Sequence, residues 1–199
     1  MKGMSKEEMI AYFNRCAPTW DAVTIRSDEK INTILDCAGV RAGVRVLDIA
    51  CGTGVLFPDY LQRNIGALVG VDIAPEMARI AAEKFDDPRV QVLCADAMEL
   101  EVAEPFDCVV IYDAFPHFPE PERLIARLAD CLTDGGRLTI AHGMSRTQID
   151  AYHDEVGAGG VSLDLLHEDA LAKLLSPCFA VDTVIADDEK YIVSGVKRP

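Results

Sequence analysis

The chain of 199 residues carries 33 acidic against 19 basic side chains, a formal net charge of −14 at pH 7. Such a field repels a polyphosphate backbone and no basic cluster interrupts it, so nucleic acid is excluded as an expected partner. Half of the residues are hydrophobic, enough for one well-buried core, and the length is short for two catalytic units. One domain over residues 1–199 is therefore expected.

The opening stretch carries Lys6, Glu7 and Glu8 where a leader would need an apolar block. No apolar run approaches the roughly 20 residues of a membrane span. The expectation is a cytoplasmic protein without membrane association. Seven cysteines (Cys16, Cys37, Cys51, Cys94, Cys108, Cys131, Cys178) are scattered singly, mostly in apolar runs, and are expected as reduced core thiols.

Two helical stretches come first, at 6–15 and 28–37, neither with a core of its own. Residues 1–40 are thus expected to form a lid or packing segment on a core spanning 44–199. Strand-like runs follow at 44–49, 67–72, 90–94, 107–111 and 137–141, near-continuously apolar as parallel strands covered on both faces are. Helical periodicity falls between and after them at 56–63, 75–85, 120–131 and 167–175, with Pro75 and Pro121 near helix starts. This alternation predicts a doubly wound α/β sheet. Asp134, Gly135 and Gly136 predict a turn into the fifth strand. The last runs, 180–186 and 191–196, are separated only by a short acidic turn and predict an antiparallel hairpin.

The strongest local signal is Leu47, Asp48, Ile49, Ala50, Cys51, Gly52, Thr53, Gly54, a strand entering a glycine turn that opens a helix. Glycine permits the tight turn and lets a ligand approach the backbone at a helix N-terminus with free N–H groups. Asp72 ends the second strand about 20 residues later, the spacing at which dinucleotide folds place a carboxylate on a ribose diol. A cap of the helix beginning at Pro75 is the other reading of Asp72. After the third strand come Asp96, Ala97 and Met98, a second carboxylate suited to an exocyclic amine; as an isolated feature Asp96 also reads as a turn cap. A nicotinamide dinucleotide site competes, but its fingerprint needs a third glycine where this chain has Phe57.

Taken together, the glycine motif from Leu47 to Gly54, the acidic end at Gly70, Val71 and Asp72, the Ala95, Asp96, Ala97 run, Phe106 and Asp107, and Leu132 to Leu138 resemble the class I S-adenosylmethionine-dependent methyltransferases, of the small-molecule, menaquinone-biosynthesis-like type. The resemblance covers residues 44–141 most strongly. It implies a seven-stranded, mostly parallel sheet in the order 3-2-1-4-5-7-6 with strand 7 antiparallel and helices on both faces. It also implies S-adenosyl-L-methionine as cofactor and a small-molecule acceptor. Gly52 and Gly54, with Ala50 and Cys51, would lie against the methionine part and Asp48 below its amino group. Asp72 and Ile73 would hold the ribose, and Asp96, Ala97 and Met98 the adenine; Met77 and Tyr112 complete the expected cofactor wall.

Tyr12 and Trp20 lie in an N-terminal stretch that resembles the part of such enzymes that folds over the cofactor, and are expected at the acceptor with Phe115 and Arg146. His117 follows the fourth strand and His142 ends the fifth, both at the edge where ligands of parallel sheets bind. His153 would return to the same mouth if residues 145–153 are helical. These three histidines are the candidate catalytic bases, for an acceptor that must lose a proton. Their spacing is too wide and irregular for an expected metal site. A nicotinamide oxidoreductase and a non-catalytic adenosyl-binding module are the competing functions. The acceptor atom and the oligomeric state are not encoded in any motif.

Overall fold

The computed structural model describes residues 5–155 and 163–199; the side chains of residue 150 and of residues 152–155 lie outside that description. Helix α1 (Lys6–Cys16) begins at a reciprocal cap, Ser5 Oγ accepting from the Glu8 N–H while the Glu8 carboxylate accepts from the Ser5 N–H at 2.8 Å. A 3-10 turn (Ala17–Thr19), the short α2 (Trp20–Val23) and α3 (Asp28–Cys37) lead to the sheet. Then follow β1 (Arg45–Ile49), α4 (Phe57–Gln62), β2 (Ala67–Asp72), α5 (Pro75–Lys84), β3 (Val90–Cys94), β4 (Phe106–Tyr112), a 3-10 turn (Phe115–His117) and α6 (Pro121–Asp130). The chain continues with β5 (Leu132–His142), α7 (Arg146–Glu155), α8 (Glu168–Leu175), β6 (Phe179–Ala186) and β7 (Tyr191–Lys197). Pro75 and Pro121 stand at the first positions of α5 and α6, where a missing N–H removes no helical bond.

The seven strands form one sheet in the order β3-β2-β1-β4-β5-β7-β6. Strands β1 to β5 pair in parallel, and β7 runs antiparallel to both β5 and β6. The order is the expected one. Because side chains alternate across a strand, Leu47 and Ile49 face α6 and α8, packing with Leu124, Leu128, Leu171 and Leu175. Val46 faces the other way, toward Ile31 and Leu35 of α3, Phe57 and Tyr60 of α4 and Ala81 of α5. Covering both faces leaves the carboxyl edge of the parallel strands as the open side, where β1, β2, β3 and β4 all end.

Three expectations need correction. Strand β3 is an edge strand and is only partly covered, so its apolar residues do not report burial on two faces, and Cys94 at its end is exposed rather than a core thiol. All seven cysteines are free. Strand β5 begins earlier than expected, at Leu132; Asp134, Gly135 and Gly136 form an irregularity inside it, with Gly135 at φ +75°, and the pairing with β4 shifts register there. Residues 145–153 do begin a helix, capped by Ser145, whose Oγ accepts from the Gln148 N–H at 3.3 Å. Among the described residues no helix is long and apolar enough to cross a membrane.

Candidate active site

The carboxyl edge opens into a cleft of about 340 Å³, floored by the ends of β1, β2 and β4 and the turn after β3, and roofed by the N-terminal helices. Its glycine turn is shaped by left-handed backbone. Ala50 at φ 55° and Gly52 at φ 55° reverse the chain, and the Cys51 N–H reaches across to the Val71 carbonyl at 3.0 Å. A non-glycine residue in that region is strained, and such strain gathers at sites that bind. Gly54, at φ 80°, serves packing instead: a Cβ there would lie 2.9 Å from ring carbons of both Phe57 and Phe85. Phe57 is buried against the turn at the position where a dinucleotide fingerprint has its third glycine.

Asp72 locks the turn. Its Oδ2 accepts from the Gly52 N–H and its Oδ1 from the Ala74 N–H, both at 2.8 Å. Burial pushes its carboxyl above the usual range, against the pull of those two N–H groups. A carboxylate offers about four acceptor positions, so Asp72 keeps lone pairs for a ligand while holding the turn. Asp96 Oδ1 accepts from the Met98 N–H at 2.8 Å, the turn cap seen in the sequence, and its Oδ2 meets Lys6 Nζ at 2.5 Å. Burial raises the Asp96 carboxyl, but the Lys6 ammonium and the Met98 N–H outweigh it and hold it below the usual range.

Asp48 lies behind this surface. It does not line the cleft, and burial pushes its carboxyl well up, with the nearby Asp72 charge adding to the effect. A carboxyl raised in the folded state contributes stability that is complete below its unfolded pKa of about 4 and is lost as pH rises through its folded value. Asp48→Asn is therefore expected to lose less melting temperature than the unsubstituted protein between about pH 5 and about pH 8. Parallel falls in thermal unfolding at the two pH values would show that Asp48 carries no such burden.

Of the expected cofactor residues, Ala50, Cys51, Gly52, Asp72, Ile73, Met77, Asp96, Ala97, Met98 and Tyr112 line the cleft, whereas Asp48 and Gly54 stand behind it. Trp20 also lines it, over the glycine turn. His117 lines the far end, its ring edge-on to Phe13 at 5.1 Å. His142 is not part of the lining: as the last residue of β5 it is buried against Tyr191, with Nδ1 3.4 Å from Asp113 Oδ1. Asp113, which does line the cleft, accepts from the Gly143 N–H at 2.9 Å. The side chain of His153 lies outside the described residues. Phe115 points down from its 3-10 turn into the core, Arg146 begins α7 away from the lining, and Tyr12 yields its expected place to its neighbour Phe13.

Sequence reasoning missed Lys6, Met9 and Phe13, which all line the cleft. A signal for them was present: they recur at helical spacing on one face of α1. Leu163 gave no such signal; it reaches the cleft because its N–H bonds the Pro116 carbonyl at 2.8 Å.

Residues 46–136 match the family model described as a methyltransferase domain. The chain is 29% identical over 141 residues to the malonyl-[acyl-carrier protein] O-methyltransferase of Acetivibrio thermocellus, covering 69% of this chain and 50% of that one. It is 38% identical over 110 residues to the demethylmenaquinone methyltransferase of Thermus thermophilus, covering 53% and 50%. The chain thus spans about half the length of these curated relatives. Among solved structures, the magnesium protoporphyrin IX methyltransferase of Synechocystis PCC 6803 with bound SAH has the same fold, at a TM-score of 0.75 and 18% identity over 98% of this chain and 100% of that one.

Proposed function

From the match of residues 46–136 to the methyltransferase-domain family model, we propose that this chain transfers a methyl group from S-adenosylmethionine to a small-molecule acceptor. The observation that carries the reading is the meeting of Gly52, Asp72 and Asp96 in one cleft. An open glycine turn and two successive carboxylates suit a ligand with an amino-acid end, a ribose and an exocyclic amine, and with no phosphate to be repelled. Asp72 and Ile73 would hold the ribose, and Asp96, Ala97 and Met98 the adenine. Ala50, Cys51 and Gly52 would carry the methionine part, with Met77 and Tyr112 as walls.

When bound, the cofactor would supply a methyl group on a sulfonium, open to displacement by an acceptor's lone pair with S-adenosylhomocysteine as the leaving group. In-line displacement of this kind gains most from alignment, so the chain's own work is to hold the acceptor and exclude water. Phe13, Pro116, Phe118 and Leu163 supply an apolar wall for that. An acceptor that carries a proton must lose it, and among the described residues His117 is the imidazole that lines the cleft.

A cytoplasmic setting, an acceptor other than nucleic acid, and a single domain whose N-terminal helices close over the core belong to the same proposal, supported by the charge of −14 and by the reach of Lys6 to Asp96. The test is incubation with metabolite extracts and cofactor labelled in its methyl group, followed by mass identification of the labelled product. Cofactor binding without any labelled product across extracts would leave a binding module instead of an enzyme. With the acceptor in hand, His117→Ala is expected to lower turnover about 100-fold or more while cofactor affinity holds. Unchanged turnover would remove His117 as the base.

A further inference from the structure

The least explained side chain in the cleft is Trp20. It is the single tryptophan of the chain, and a Cβ built on Gly52 would have the indole Nε1 as its nearest neighbour, at 3.8 Å. The indole N–H therefore stands directly over the glycine turn. Its placement is well determined: the ring packs edge-on to Phe13 at 5.9 Å, and the Trp20 carbonyl accepts from Thr24 Oγ1 at 2.8 Å. The next residue, Asp21, ties the segment to the turn itself, accepting from Thr53 Oγ1 at 2.5 Å and from Lys84 Nζ at 2.7 Å. None of these contacts uses the indole N–H.

A carboxylate at this turn would face an unfavourable field. Asp72 lies buried beside the turn and already takes the Gly52 N–H, and Asp48 is buried behind it. The cations of the neighbourhood are committed as well. Lys84 donates to Asp21 and to the Thr53 carbonyl, and Arg26 to Asp28, to Asp59 and to the Val55 carbonyl. A donor that is polar, uncharged and fixed in place remains above the turn, and it belongs to Trp20. An indole N–H is a donor only, so it selects an anionic or carbonyl oxygen and cannot serve an ammonium.

We propose that Trp20 is a cofactor-binding residue whose indole N–H donates to the carboxylate of the cofactor's amino-acid end, rather than an acceptor-pocket residue. The inference rests on the cofactor reading above. It makes the roof a reader of the amino-acid end, so that an adenosine thioether lacking the carboxylate gains nothing from it.

The experiment is calorimetric titration of the unsubstituted protein and of Trp20→Phe with two ligands, S-adenosylhomocysteine and 5′-methylthioadenosine, which lacks the amino acid. Phenylalanine keeps an aromatic ring beside Phe13 and removes the N–H. Trp20→Phe is expected to weaken S-adenosylhomocysteine by about tenfold to 150-fold, the range for a hydrogen bond to a charged group, and 5′-methylthioadenosine by less than about threefold. Equal losses for both ligands would overturn the assignment, because Trp20 would then act by ring packing alone. No loss for either would overturn it too. If the unsubstituted protein binds neither ligand, the cofactor reading has failed first, and that outcome is distinct from the other two. Thermal unfolding of the variant at an unchanged midpoint shows that the comparison is between folded proteins.

Discussion

Gly52→Val is expected to weaken S-adenosylhomocysteine more than about 100-fold while the protein stays folded. Two effects add. Gly52 has φ +55°, a conformation that costs an L-residue roughly 1–2 kcal/mol and a β-branched one more. The new side chain also projects into the cleft, where its Cβ meets only the Trp20 indole nitrogen, at an ordinary contact distance of 3.8 Å, so the bare protein tolerates the Cβ itself. That space is where the amino-acid end of the cofactor is proposed to lie. Strain alone should lower the melting temperature by several degrees, at about 2–4 °C per kcal/mol for a chain of this size. Gly135→Val supplies the control: Gly135 has φ +75° with nothing within 4 Å of an added Cβ, and it is remote from the cleft. It should show a similar loss of stability with cofactor affinity intact. A Gly52→Val protein that binds the ligand normally would take the glycine turn out of the site.

The sheet was legible in the sequence because its strands are short apolar runs separated by helices of clear period, and that pattern admits few topologies. Gly52 and Asp72 were legible for a related reason: both sit at strand ends, which the sheet order itself brings together. Gly54 was not, since its need for a left-handed backbone and its need to let Phe57 and Phe85 close over it look identical in a string of letters. Strand β5 was read too short because a glycine pair predicts a turn as readily as an irregular strand. The acceptor end was the least legible. His117 lines the cleft and His142 does not, because residue 117 ends a 3-10 turn beyond β4 whereas residue 142 is still paired with Tyr191 in the sheet. Trp20, expected at the acceptor and proposed here at the cofactor, is hard to read for a different reason. Whether a lid residue meets cofactor or acceptor depends on where the lid lands, and the anchors that decide it, Asp21 on Thr53 and Lys6 on Asp96, join residues far apart in the chain.

Asp72→Ala is expected to weaken S-adenosylhomocysteine by about 1–3 kcal/mol, roughly fivefold to 150-fold, and to lower stability at the same time. The carboxylate is 7% exposed and accepts from two backbone N–H groups, at Gly52 and Ala74, each at 2.8 Å. Alanine leaves both donors without an acceptor in a buried place, which is the costly way to lose a hydrogen bond. Removing a carboxyl that burial already pushes up offsets part of that loss. Asp72→Asn should not rescue binding. Its amide oxygen can serve one N–H, but its NH₂ then faces the other, so one donor pair remains opposed. A loss of affinity in these variants has two possible origins, a vanished ribose contact or a loosened turn, and the ligand separates them. If Asp72 receives the ribose hydroxyls, the Ala variant should lose several-fold less affinity for a 2′-deoxy analogue than for S-adenosylhomocysteine, because part of the contact is already missing from that ligand. Equal losses would assign Asp72 to the turn alone, and unchanged affinity for both ligands in a folded variant would remove it from the cofactor site.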